Sequence, residues 1–180
     1  KQYPHQLSGG MAQRVMIAMM LSTEPSLLIA DEPTTSLDVS IQAQVLKLLE
    51  DLIKKHKASV LVITHDLSIV AETCDRVGVM YAGDMVEIGK VDQTIYNPKH
   101  PYTVGLMKAI PSDYGKELVG IKGNVPDLVN PPSGCRFHPR CDYAMDICKE
   151  EKPKTIQVEA DHTVACFLYE GGGSERPHTA

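Results

Sequence analysis

Leu27-Leu28-Ile29-Ala30-Asp31-Glu32-Pro33-Thr34-Thr35-Ser36-Leu37-Asp38 is the stretch on which the fold turns. Its first four residues are an apolar run too short for a helix and stopped soon after by Pro33. Such a run fits a strand buried on both faces of a parallel sheet. The strand would deliver Asp31 and Glu32 at its C-terminal end, the edge where open α/β sheets gather their ligands. An Asp so placed can hold Mg²⁺ through a shared water shell, and a Glu can orient or deprotonate an attacking water. A strand that merely ends in solvated acids would look the same.

Downstream, an amphipathic helix is predicted, with Ile41, Val45, Leu48, Leu49, Leu52 and Ile53 along one side. Lys54, Lys55, His56 and Lys57 close it, where positive charge complements the helix dipole. Val60 to Ile63 reads as a second buried strand that delivers Thr64-His65-Asp66, followed by a helix from about Leu67 to Cys74. Upstream, Ser8 is a candidate cap for a helix running to Thr23, with Gly9 and Gly10 in its first turn. Backbone N–H groups exposed at such a start suit an anion such as phosphate, although Ser-Gly-Gly before a helix is also an ordinary turn. His65 at a strand end could donate to a phosphate oxygen or simply cap a loop.

Arg76 to Met80 and Met85 to Ile88 flank Ala82-Gly83-Asp84 and read as a hairpin. A Pro-bounded helix is expected from Asn97 to Ile110, then an irregular Pro- and Gly-rich connection from 111 to 134. Four of the five cysteines fall at 135, 141, 148 and 166. The chain thus divides into an α/β part (1–96), a connecting helix and Pro/Gly segment (97–134), a small irregular Cys-rich module (135–168) and a flexible tail (169–180) that includes Gly171-Gly172-Gly173-Ser174.

Composition narrows the function classes. With 18 Lys and Arg against 23 Asp and Glu, the net charge is -5, which argues against a dedicated nucleic-acid binder. The longest apolar run, Val15 to Leu21, is far short of the roughly 20 residues of a membrane span. The chain opens at Lys1 without a charged-then-apolar leader, so a cytosolic piece of a longer protein is expected.

Taken together, the Ser8-Gly9-Gly10 helix start, the Asp31-Glu32 strand end, the Ser36-Leu37-Asp38 loop and His65 resemble the ABC-type ATPases. In that resemblance Leu7 to Met11 is the signature, Asp31-Glu32 the Walker B pair, Ser36 to Asp38 the D-loop and His65 the switch histidine. Met11 stands where many members have Gln, a variant familiar in the peptide-importer branch. No Gly-x-x-x-x-Gly-Lys-Ser/Thr occurs; the nearest approach, Gly83 to Gly89-Lys90, has the wrong spacing and ends in Val91. The resemblance therefore implies the C-terminal part of a RecA-like P-loop NTPase, with ATP and Mg²⁺ as its nucleotide and ion. It implies Glu32 and His65 as catalytic residues and Asp31 as the Mg²⁺ residue. Ser8, Gly9, Gly10 and Asp38 would be nucleotide-binding, the first three toward ATP held by a second ATPase subunit. Without its phosphate loop this chain is expected neither to bind ATP tightly nor to hydrolyse it.

The cysteines have five, six and seventeen residues between them, with no short knuckle of the usual zinc kind. On pattern alone an iron–sulfur cluster, zinc and no metal all stay open. Asn97 to Thr103, Gly123 to Pro126, Gly134 to Cys141 and His162 to Cys166 then resemble the C-terminal extension of oligopeptide and dipeptide importer ATPases. That resemblance implies a [4Fe–4S] cluster on Cys135, Cys141, Cys148 and Cys166, with zinc as the alternative. His138 and His162 are either substitute ligands or surface and loop histidines, and Cys74 a small core residue. The implied partners are a second ATPase subunit, permease subunits and, indirectly, an extracytoplasmic substrate-binding protein, with no nucleic acid. The implied place is the cytoplasmic face of the inner membrane. Nickel and glutathione importers share this branch, and a non-catalytic metal-binding regulatory module is the alternative outside enzymes. ABC ATPases of DNA repair or translation fit less well, for want of their insertions and of a basic stripe.

Overall fold

The computed structural model describes residues 3–35, 38–110 and 120–170, without the side chains of Val39, Leu52, Lys54 and His56. Ser36 and Leu37 of the expected loop, part of the 111–134 connection and the glycine tail lie outside the described residues, as do the side-chain readings at Leu52, Lys54 and His56. The chain forms two compact units, residues 1–73 and 74–180. It is a mixed α/β protein with one parallel and one antiparallel sheet. Among the described residues no helix is long and apolar enough to cross a membrane.

In the first unit, helix α1 (Gly9–Leu21) leads to strand β1 (Leu27–Asp31), helix α2 (Val39–His56), strand β2 (Ser59–Ile63) and helix α3 (Leu67–Thr73). Ser8 caps α1 from an extended conformation, as its sequence predicts. Strands β1 and β2 pair in parallel, Leu27 with Ser59 through Asp31 with Ile63. Ile17 and Leu21 of α1, Leu28 of β1 and Val45 and Leu49 of α2 form the core. The apolar stripe of α2 packs there, with Ile41 and Ile53 at its margin. Burial on both faces of β1 is not what the structure has: Leu28 and Ala30 are buried, whereas Leu27 and Ile29 are more than half exposed. Leu61 and Ile63 of β2 are exposed as well. Both helices of this core cover one side of the two-stranded sheet, and Leu27, Ile29, Leu61 and Ile63 lie on its other side.

The second unit is built on an antiparallel sheet. Strands β3 (Arg76–Tyr81) and β4 (Asp84–Lys90) form the expected hairpin. Helix α4 (Val91–Tyr96) follows directly, and helix α5 (Pro101–Lys108) occupies the inner part of the single helix expected from 97 to 110. The last segment is more regular than its sequence suggests. After the short helix α6 (Ile147–Glu150), strands β5 (Thr155–Glu159) and β6 (His162–Ala165) form a second hairpin. Strand β6 pairs with β4, giving the order β3-β4-β6-β5. Val79, Tyr81, Val86 and Phe137 make the core, with Tyr102 and Leu106 of α5 packed against it. Tyr81, Tyr102 and Phe137 meet at ring-centroid distances of 4.6 to 5.5 Å in tilted and edge-on arrangements, the geometries aromatic pairs prefer.

Candidate functional site

The start of α1 is held in place from below. A Cβ at Gly10 would lie 2.7 Å from Ile41 Cγ2, so only glycine lets this turn approach α2 so closely. Ser8 Oγ accepts from Met11 N–H at 3.4 Å, Arg14 donates to Gln44 at 2.6 Å, and Gln13 donates to the Pro33 carbonyl at 2.9 Å. Gly9 is exposed and the helix start faces solvent.

Parallel pairing of β1 and β2 brings two residues 33 positions apart to one edge. Glu32 N–H donates to the Ile63 carbonyl at 2.8 Å, carrying the ladder one residue past β1. Glu32 then turns with φ 48°, a left-handed conformation that costs a non-glycine residue energy and recurs at functional sites. Its two carboxylate oxygens are both engaged: Oε1 lies 2.7 Å from His65 Nδ1, and Oε2 accepts from the Thr35 hydroxyl at 2.9 Å. The His65 contact and the Thr35 hydroxyl hold the Glu32 carboxyl below its ordinary range. In turn, the Glu32 carboxylate raises His65. The imidazole itself is exposed.

Asp31 is exposed at the end of β1. Asp38 caps α2, accepting from Ser40 Oγ at 2.7 Å and Ile41 N–H at 3.0 Å, and those donors lower its carboxyl. Thus the structure joins Glu32 to His65, while Asp38 serves a helix end. Among the described residues no hydrogen bond links Ser8 to the Glu32–His65 pair.

In the second unit, Cys135, Cys141, Cys148 and Cys166 line one pocket together with His100 and His138. All four thiols are free. Backbone bonds set them: Cys135 N–H donates to the Cys148 carbonyl at 2.9 Å, and His138 N–H to the Cys135 carbonyl at 2.9 Å. Gly134, at φ 65°, lets the chain pass where a Cβ would lie 2.9 Å from the Lys149 carbonyl carbon. Burial pushes the Cys135 thiol up, Cys141 to about 11 and Cys166 to about 12, and neighbouring thiols of the set add to each. As they stand, no three His, Cys, Asp or Glu side chains among the described residues are close enough to hold a metal ion.

Beside the pocket lies a carboxylate the sequence reading passed over. Glu87 on β4 is only 1% exposed. It accepts from the backbone N–H groups of Lys99 and His100, both at 2.8 Å, and lies 2.7 Å from His162 Nε2. His162 is fully buried in β6, which corrects its reading as a surface or loop histidine. The signal was present in Met85-Val86-Glu87-Ile88, an acid inside an otherwise apolar strand. Such a residue is buried only when its hydrogen bonds are supplied.

Comparison with known proteins bears on both units. The family described as "ABC transporter" matches residues 1–35, and "Oligopeptide/dipeptide transporter, C-terminal region" matches residues 86–148. The oligopeptide transport ATP-binding protein AppD of Bacillus subtilis (strain 168) is 56% identical over 98% of this chain and 54% of its own length. The dipeptide transport ATP-binding protein DppD of Caldanaerobacter subterraneus is 51% identical over 94% of this chain and 53% of its own. The oligopeptide transport ATP-binding protein OppD of B. subtilis is 54% identical over 93% and 48%. The chain belongs to the ATP-binding proteins of oligopeptide and dipeptide transporters. It spans about half the length of the curated relatives it matches.

In this member of the family, the state of the Glu32–His65 pair is measurable. Below its ordinary pKa of 6.5, His65 is charged in folded and unfolded chains alike, and its share of the pair is complete; that share is lost as pH rises through the raised folded value. The share of Glu32 is present above its ordinary 4.5 and lost as pH falls through the lowered folded value. The pair is therefore most intact between those two ordinary values. A histidine NMR titration should place the His65 midpoint above 6.5, and Glu32→Gln should return it there. High salt should shrink the shift, because the imidazole is exposed. An unchanged midpoint in Glu32→Gln would show that the two side chains do not meet in solution.

Proposed function

We propose that this chain is the signature-to-switch portion of an ATP-binding subunit that couples ATP hydrolysis to uptake of oligopeptides or dipeptides. The observation that carries this reading is the 2.7 Å contact between Glu32 and His65 at the C-terminal edge of a parallel strand pair. In this reading the unit of residues 1–73 is part of a RecA-like P-loop NTPase core, and the hydrolysed ATP sits above that edge.

Each residue has a role that its chemistry allows. Glu32 orients the attacking water and accepts its proton. In the geometry described, both carboxylate oxygens are occupied and the group is a weakened base. His65 must therefore turn from Glu32 toward a γ-phosphate oxygen, which frees Oε1 for water and places a donor where charge develops. Asp31 would hold Mg²⁺ through its water shell, and the ion would neutralise charge on the phosphates. Ser8, Gly9 and Gly10 would present N–H groups and the positive end of α1 to a nucleotide held by a second ATPase subunit. Asp38, anchored as the α2 cap, would stand at the same subunit boundary.

The cysteine pocket carries the donor types of a [4Fe–4S] cluster, and loading one would require the thiols to draw together, since as they stand no three such side chains among the described residues are close enough to hold a metal. Its donor set is four free thiols around one pocket, the Cys₄ set such clusters use, and the same set could take zinc. When bound, the cluster would supply one-electron redox chemistry or a structural staple; Cys135, Cys141, Cys148 and Cys166 would hold it. The subunit would act at the cytoplasmic face of the inner membrane with a second ATPase subunit and permease subunits. An external binding protein would deliver the peptide.

The test is transport. The full-length subunit, reconstituted with its permeases and binding protein in proteoliposomes, should accumulate a radiolabelled short peptide only when ATP is supplied. Accumulation of nickel or glutathione with no peptide uptake would overturn the substrate assignment.

A further inference from the structure

A cavity of about 160 Å³ opens at the end of the antiparallel sheet where β3 turns into β4, β5 begins and β6 ends. Tyr81, Met85, Val86, Phe137, Pro153 and Ala165 give it an apolar wall, and Asp84, Arg136 and Lys152 supply its charge. Asp84 faces both cations: Lys152 Nζ lies 2.9 Å from Oδ1, and Arg136 Nε lies 3.2 Å from Oδ2. One carboxylate against two cations leaves a surplus of one positive charge on the lining. Arg136 is held in place, because its Nη1 donates to the Ala82 carbonyl in the β3–β4 turn. Gly83, at φ 86°, makes room for it, since a Cβ there would lie 2.9 Å from Nη1. Arg136 Nε is buried and has no hydrogen-bond partner among the described residues; Asp84 is close enough to attract it but is not aligned with the N–H. A buried donor left unpaired on a charged group costs stability until an acceptor reaches it.

We propose that this cavity binds a small apolar carboxylic acid as its anion, with the carboxylate on Arg136 and Lys152 and the hydrocarbon against Met85, Val86 and Pro153. The planar guanidinium suits a planar carboxylate, which it can meet through paired N–H groups. A single surplus charge calls for a monoanion, and Asp84 repels any further negative charge. Phosphate would bring more charge and nothing to cover the apolar wall. Size sets the length of the acid: benzene fills a cavity of about 150 Å³, so about six or seven heavy atoms fit here. Walls of low polarity strengthen the attraction between the anion and the two cations. The site uses neither the Glu32–His65 pair nor anything held by the cysteines.

The experiment uses the full-length protein with isovalerate as the probe, at constant ionic strength, and reads binding by calorimetry. Wild type should bind with a Kd of about 1 mM, an ordinary affinity for so small a ligand. Isovaleramide, of the same shape but uncharged, should bind about tenfold more weakly. Lys152→Gln, at an exposed position, should weaken isovalerate about threefold, and Arg136→Gln about tenfold. Should Arg136→Gln not fold, wild-type protein labelled at its methionine methyls gives a second reading. Isovalerate should shift the resonance that Met85→Leu removes, and isovaleramide at the same concentration should not. No saturable binding by about twenty times the expected Kd overturns the site. So does equal affinity for acid and amide, or binding unchanged in either variant. Inorganic phosphate that displaces isovalerate at lower concentration overturns the carboxylate class. Peptide uptake enters none of these readings, so a failure here leaves the transport function standing, and a failure there leaves the cavity.

Discussion

Glu32→Gln in the full-length ATP-binding subunit should lower steady-state ATP hydrolysis by two to four orders of magnitude, the range a positioned general base contributes. The side chain keeps its shape, and its amide can still pair with the Thr35 hydroxyl, now held 2.9 Å from Oε2. What it loses is the capacity to take a proton. In the proposed role Glu32 acts on water and not on the phosphates, so nucleotide affinity should stay within a few-fold and kcat should fall while KM holds. Phosphate release and equilibrium binding of a labelled nucleotide check the two halves. A fall of less than tenfold would move the base to another residue. His65→Ala should be less damaging than Glu32→Gln, since phosphoryl transfer depends on positioning shared among several groups.

The second large effect is on stability. Glu87→Ala removes the one carboxylate that satisfies the Lys99 and His100 backbone N–H groups and faces His162 Nε2. Those donors are then left in a core that water does not reach, since Glu87, His100 and His162 are each 1% exposed or less. Leaving a buried donor without its acceptor costs about 1–3 kcal/mol for each group. The loss should appear in urea or thermal unfolding of the second unit, with β1, β2 and the Glu32–His65 pair untouched. Glu87→Gln should be milder, because an amide oxygen still accepts from one backbone N–H. Unfolding unchanged by Glu87→Ala would mean that the network carries no net stability.

Local features of both units were legible from residue order alone. The Ser8 cap, the apolar run of β1, the stripe of α2 and the hairpin about Ala82-Gly83 are written in short-range pattern, because caps, periodicity and turns depend on near neighbours. What depends on distant pairing was harder to read. Strands β5 and β6 escaped notice, although Thr155-Ile156-Gln157-Val158-Glu159 alternates; they pair with each other as a hairpin, and β6 joins the sheet through β4 some 75 positions earlier. The exposed side of β1 was missed for the related reason that an apolar run states a preference for burial without naming what supplies it. Glu32 and His65 were each legible as strand-end groups, but their contact follows from the register of β1 on β2. Glu87 and His100 were hidden because a buried acid is recognised through its donors, and those lie on another segment.

On the side of β1 and β2 away from α1 and α2, Leu27, Ile29, Leu61 and Ile63 form an exposed aliphatic strip. Made by itself, the 180-residue chain would offer that strip to other copies. Its solubility would then be governed by four outward aliphatic positions.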